Sequence, residues 1–246
     1  MDHQTKVALK QDNFVTTTGN GLEWASENRR SVIITTSILL GAILVLVLGV
    51  VLYNKRSESA SEAFGAAMSA YQTPIANPAE PTPPGVKVYA NAQERAAAAN
   101  VQFQAVASKY SMMKEGKNAL YFVGLTYMDE SQYQSAEDTF KKLSGSFDHE
   151  LGSLAKLSLA QLYRQTGRDA MAIDLLNQLS DKPTTTVPYG LAQLQLAELY
   201  STEGKTDQAR KIYAHLSDKD AKGAAGLIAK QKLNPGAAPA GGPPQG

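Results

Sequence analysis

The 246-residue chain contains no cysteine. That excludes disulfide scaffolds, thiolate zinc sites, iron–sulfur clusters and cysteine nucleophiles, and it excludes a lipid anchor attached through cysteine. Histidine is nearly as scarce. His3, His149 and His215 stand far apart and no two share a helical turn, so a histidine metal cluster is not indicated. An excess of one charge is missing too: 24 Lys and Arg against 23 Asp and Glu leave +1, which gives no basic field for nucleic acid. No nucleophile-elbow motif supports a Ser-His-Asp site, and no sustained strand alternation follows residue 57. The expectation is an all-α protein without catalytic residues, cofactor or metal.

One long apolar run is present. Val32 to Tyr53 reads VIITTSILLGAILVLVLGVVLY, 22 residues without a charge. As a helix this measures roughly 33 Å, enough for a hydrocarbon core of about 30 Å. Arg29 and Arg30 precede it, Lys55 and Arg56 follow it, and Trp24 and Tyr53 can anchor its two interfaces. A cleaved signal peptide has a shorter apolar region ending at a small-residue site, so residues 31–54 are read as a transmembrane helix crossing the bilayer through 32–53. The near flanks carry equal charge. Lys6 and Lys10 tilt the count toward a cytoplasmic N-terminus, although balanced flanks leave the opposite orientation open. Residues 1–30 are too few for a core; Phe14, Leu22 and Trp24 could form a short interfacial helix.

Beyond the span the sequence repeats itself. Three blocks align without gaps: GLTYMDESQYQSAEDTFKKL from Gly124, AQLYRQTGRDAMAIDLLNQL from Ala160 and AELYSTEGKTDQARKIYAHL from Ala197. Each opens on a small residue and reaches a tyrosine three positions later (Tyr127, Tyr163, Tyr200). A turn residue follows (Ser131, Gly167, Gly204), then a small residue (Ala136, Ala172, Ala209), a large apolar one (Phe140, Leu176, Tyr213) and a closing leucine (Leu143, Leu179, Leu216). Small residues let antiparallel helices approach, and large ones fill the space between neighbouring hairpins. The tyrosines are spaced 36 and 37 residues apart.

At these positions the sequence resembles tetratricopeptide repeat (TPR) proteins, whose period is about 34 residues. The resemblance implies a right-handed helical solenoid with repeats at about 117–150, 153–186 and 190–217. The closing proline of that family is missing from the first repeat, and Pro183 falls one position early in the second. Glu58–Gln72 and Asn91–Lys109 read as the helices of a divergent first hairpin, 57–110. The proline-rich stretch 73–90 between them cannot be helical. Residues 219–233 read as a capping helix with Leu227, Ile228 and Leu233 covering the end of a helical domain spanning 55–233. The Pro/Gly/Ala tail 234–246 has too little apolar surface to order.

Other motifs reduce to structural roles. Asp148-His149-Glu150 falls between two repeats and reads as a solvated turn. Gly236–Gly242 lacks the flanking strand and helix of a phosphate loop. The repeated tyrosines read as packing residues rather than a stacking platform. What remains is the groove that the TPR resemblance implies along the first helix of each hairpin. It would expose Tyr121, Leu125, Met128 and Asp129, then Leu157, Gln161, Arg164 and Gln165, then Leu194, Glu198, Ser201 and Thr202. Some of these could pack against the first hairpin instead. The Lys and Asn clamp with which some TPR domains hold a peptide carboxylate is absent, leaving a helix or extended segment of a protein partner.

A short N-terminal segment, one span and a TPR domain also resemble the bacterial inner-membrane YfgM family, ancillary subunits of the SecYEG translocon. The segment YAHLSDKDAKGAAGLIAKQKL from Tyr213 looks like that family's C-terminal capping region. This resemblance implies a cytoplasmic N-terminus and a periplasmic TPR domain. It implies as partners translocon subunits, a membrane-anchored periplasmic chaperone and nascent exported chains. A scaffold for an envelope-assembly or cell-division complex is the alternative, and exposed ends of the array leave a homodimer open.

Overall fold

The computed structural model describes residues 27–77, 79, 84–85 and 87–235. The expected interfacial helix around Phe14–Trp24, most of the C-terminal tail and part of the proline-rich stretch lie outside the described residues. The chain forms two compact units, Met1–Glu58 and Ser59–Gly246. In the first, the described chain is the N-terminal part of helix α1 (Arg29–Gln72). Its apolar residues from Ile33 to Tyr53 are exposed, and this is the one described helix long and apolar enough to cross a membrane. Exposure along the whole run distinguishes it from the core helix of a soluble protein.

The second unit contains the remainder of α1 and α2 (Ala92–Lys109), α3 (Lys114–Asp129), α4 (Tyr133–Ser144), α5 (His149–Gln165), α6 (Asp169–Asp181), α7 (Tyr189–Thr202), α8 (Thr206–Lys219) and α9 (Ala224–Leu233). Consecutive helices from α2 onward pack on one another, giving a TPR-like solenoid of hairpins. Helix A of each hairpin is the end of α1, then α3, α5 and α7. Helix B is α2, α4, α6 and α8. Helix α9 takes the A position after them. Among the described residues β structure is limited to one bridge, Ile75 with Tyr89.

The repeated residues occupy equivalent buried places. Ala160, Ala197, Ala136, Ala172 and Ala209 are buried, as are Phe140, Leu176, Tyr213, Leu143, Leu179 and Leu216. Gly124 lies against Phe140, whose ring would sit 2.5 Å from an added Cβ. Each repeated tyrosine stands near the end of its A helix and supplies the carbonyl that closes it. Gln132 donates to Tyr127 O (2.8 Å), Arg168 to Tyr163 O (2.7 Å) and Lys205 to Tyr200 O (2.8 Å). The residue before each donor is left-handed, with φ of 60° at Ser131, 70° at Gly167 and 76° at Gly204. A Schellman cap thus recurs three times and folds helix B back on helix A. Glycine meets the left-handed requirement without strain at two of the turns, and Ser131 does so at a cost.

The first hairpin makes the same reversal differently. Ala76 N–H donates to Tyr89 O (2.8 Å) and Tyr89 N–H to Pro74 O (3.0 Å), so the base of the proline-rich connection is clipped shut. Asn91 then caps α2 by accepting from Glu94 N–H (2.8 Å), while the Glu94 carboxylate accepts from Ala90 N–H (3.0 Å). The hairpin's core is aromatic. Phe103 stacks on Phe122 with centroids 5.0 Å apart, and Phe64 and Tyr71 meet both rings at 5.7–6.1 Å.

Two expectations need correction. The last helix begins at Ala224 rather than 219, because Asp220 to Gly223 turn the chain after α8. Its inward stripe is Gly226, Ala229 and the partly buried Leu233; Leu227 and Ile228 face outward at 52% and 43% exposure. Gly226 lies so close to the Asp220 carbonyl (1.9 Å from an added Cβ) that no larger side chain could turn inward there. Nor is Asp148-His149-Glu150 merely a solvated turn. Asp148 caps α5 by accepting from Leu151 N–H (3.1 Å). Glu150 accepts the N–H groups of Thr185 (3.2 Å) and Thr186 (2.7 Å) from the next connection. Those bonds hold its carboxyl below the usual carboxylate range.

Candidate partner-binding groove

The A helices lie side by side, joined by polar contacts at successive seams. Tyr71 of α1 donates to Asp129 Oδ2 of α3 (2.9 Å). Tyr121 of α3 shares a hydrogen bond with Ser158 Oγ of α5 (2.9 Å). Arg164 of α5 donates to Gln195 Oε1 of α7 (3.1 Å), and Glu198 of α7 pairs loosely with Lys232 of α9 (3.8 Å). Four of the expected groove residues, Tyr121, Asp129, Arg164 and Glu198, therefore tie neighbouring hairpins together. Burial, then the Asp129 carboxylate accepting its proton, pushes the Tyr71 phenol up to about 12. Burial also raises Tyr121, against the Ser158 hydrogen bond. Both phenols stay protonated at neutral pH.

The remaining expected residues divide by burial. Leu157 is buried in the main core with Ala155 and Leu159 and offers no open groove surface. The helical stripe that carries it turns inward because α5 is packed on both sides, by α4 and α6. Leu125, Met128 and Leu194 are half-buried, while Gln161, Gln165, Ser201 and Thr202 are exposed. The open positions converge at one end. Gln161, Arg164, Gln165 and Thr202 line a depression of ≈ 490 Å³ together with Asp169, Leu199 and Glu203. Asp169 opens α6 and Glu203 closes α7. Sequence reasoning missed both because they lie at the turns rather than on the A-helix stripe; their place beside Gly167 and Gly204 was the available signal.

Two carboxylates and one guanidinium around an otherwise amide- and hydroxyl-lined slot suit a polar segment with backbone amides or a cationic side chain. A second depression of ≈ 590 Å³ lies over α2, α3 and α4, with Leu120, Val123 and Ala107 below and Lys117 and Lys142 among its lining residues. Between α4 and α5–α6, the buried Glu137 pairs with Arg168 (2.6 Å) and Lys141 (2.7 Å) and accepts from Tyr163 OH (3.2 Å). Burial raises its carboxyl, and the Lys141 and Arg168 contacts outweigh that and hold it below the usual range. Among the described residues no group of three His, Cys, Asp or Glu could hold a metal ion.

Comparison with known proteins agrees with the helical-repeat fold. A family model for the tetratricopeptide repeat-like domain matches residues 23–234. The chain belongs to the tetratricopeptide repeat-like domain family. The match begins ahead of the apolar run, so the family unit includes that segment as well as the repeats. Two crystal structures of the nearly identical TPR-like repeats assigned to a Podosopora anserina kinesin light chain, one of them a point variant, are similar to it. Both have a TM-score of 0.52 and cover 70% of this chain and 82% of theirs, at 15% identity for the point variant and 14% for the other. At that identity they establish a shared fold alone. No curated protein matches the chain in sequence.

Proposed function

We propose that the protein is a membrane-anchored TPR adaptor that binds protein partners and carries out no chemistry of its own. The observation that carries this reading is the union, in one family unit, of an exposed, charge-free apolar run and a repeat solenoid with an open groove. Anchoring confines the groove to a thin layer beside the bilayer, so weak contacts gain effective concentration. The groove is assigned to Gln161, Arg164, Gln165 and Thr202 with Asp169 and Glu203, bordered by Leu125, Met128, Leu194 and Ser201.

The finer reading is a bacterial inner-membrane protein with its N-terminus in the cytoplasm and its repeats in the periplasm. There it would act as an ancillary subunit of the Sec translocon, working with periplasmic chaperones on exported chains. Lys6 and Lys10, beyond the balanced flanks, support that orientation, and the YfgM-like layout supports that role. Purification of the full-length protein from its own membrane in mild detergent, with mass spectrometry of what accompanies it, tests the proposal. Recovery of translocon subunits and a chaperone, reduced by Gln161→Ala combined with Thr202→Ala, is the expected result. Recovery of division or envelope-assembly proteins instead would discard the secretion role and keep the adaptor; undiminished recovery with the double variant would discard the groove assignment.

A further inference from the structure

Within Ser59–Gly246 the A helices run parallel. Ser61 bonds Glu115 near their starts (3.4 Å), and Tyr71 bonds Asp129 near their ends. Tyr121 and Ser158 continue the same alignment into α5. Their N-terminal ends therefore share one edge with the connections 110–113, 145–148, 182–188 and 220–223, and the chain arrives at Ser59 on that same edge. Met112 and Phe147 stand on the first two of these connections, 92% and 103% exposed. The third buries its Val187, and the fourth has no large apolar residue. The short turns on the opposite edge (130–132, 166–168 and 203–205) carry none either.

The two most exposed large apolar side chains described in this unit thus stand on the connections nearest the point where the chain arrives from the span. Ser59 follows Tyr53 by six residues, which even fully extended reach no more than roughly 20 Å. Beside Met112 stand the exposed Lys114 and Lys117. An exposed thioether beside lysines and a fully exposed ring on the next connection match the boundary between lipid headgroups and acyl chains, where rings and thioethers enter the apolar layer and ammonium groups meet phosphates.

We propose that Met112 and Phe147 dip into the surface of the bilayer that holds the apolar helix, so that this edge of the solenoid rests on phospholipid. The proposal builds on the membrane-anchored reading above. Contact at two connections holds the repeat domain by its edge and leaves the turns at the opposite end of the groove, with Asp169 and Glu203, directed away from the lipid.

The test uses the full chain with its single tryptophan removed (Trp24→Phe) and a reporter introduced by Phe147→Trp or Met112→Trp. The protein is reconstituted in phosphatidylcholine/phosphatidylglycerol vesicles with and without brominated acyl chains. Both reporters should shift to the blue and lose emission to the brominated lipid, while Ala170→Trp, on the opposite edge, keeps its emission. Unquenched reporters at 112 and 147 in protein that resists alkaline extraction would overturn the lipid contact and leave the anchor standing. Equal quenching at 170 would overturn the assignment to this edge. Release of the protein by alkaline extraction would overturn the anchored reading, and the contact with it.

Discussion

In the repeats from α3 to α8 a hairpin reverses within a Schellman cap, on a left-handed residue placed after the repeated tyrosine; in the first hairpin the reversal takes the whole proline-rich connection, tied by two backbone bonds between 74–76 and 89. The cores differ in parallel. The middle repeats are filled by leucines and alanines that recur in register, whereas the first hairpin is held by a cluster of four rings, Phe64, Tyr71 and Phe103 with Phe122 of α3. A local cap fixes the angle of one helix on the next, so small aliphatic residues suffice to fill the seam. Without that cap the same geometry has to come from larger, more specific side-chain contact. Substitutions that touch one device and not the other separate the two.

Phe103→Ala should have the largest effect, about 3–5 kcal/mol, because a fully buried ring leaves a cavity amid three others. Hydrogen exchange should show protection lost in α2 and the end of α1 while α5–α8 stay protected. Collapse of all repeats together would mean that the aromatic cluster and the Schellman-capped repeats are one cooperative unit. Gly124→Ala comes next, at about 1–3 kcal/mol, since the new methyl meets the ring of Phe140. Thermal melting measures it, and an unchanged midpoint would contradict the close approach of α3 and α4.

The pH dependence probes the charged contact at Glu137, which belongs to the Schellman-capped repeats. With its folded pKa below the ordinary 4.5, Glu137 contributes stability that is complete above about that pH and is lost as pH falls toward its folded value. Wild-type protein should therefore lose more stability between about pH 5 and 3 than Glu137→Gln does; parallel losses in chemical denaturation would show that the Arg168 and Lys141 contacts contribute little. The smallest effect is a pair of opposite sign at the caps. Ser131→Gly should stabilise and Gly167→Ala destabilise, each by about 1 kcal/mol, because only glycine adopts a positive φ without a Cβ clash. Equal melting midpoints for these two variants and the wild type would show that the caps do not set the hairpin angle.

Most of the solenoid could be read from residue spacing. The tyrosine, alanine and leucine of each block returned at helical intervals, and the burial of Tyr163, Ala172 and Leu179 follows from that periodicity because each stands at a helix–helix seam. The groove was less legible. Gln161, Gln165 and Thr202 are open as their stripe implied, but Leu157 turned into the core, and Tyr121, Asp129 and Arg164 became ties to the neighbouring helix. A stripe gives the face of a helix and not the partner across the seam, which lies 58 residues away for Asp129 and 31 for Arg164.

Composition and intervals of three and four residues were enough to make the chain helical, to give it one apolar run long enough to span a bilayer, and to make its hairpins repeat. Those properties are local to each stretch of chain. Stacking of the hairpins was needed to fix which polar residues stay free, which acids close the end of the groove, why Leu227 and Ile228 face outward, and that Met112 and Phe147 share an edge with the start of the repeat unit at Ser59. Each of these depends on contacts between residues distant in the chain, and those distances exist only once each repeat is packed on its neighbours.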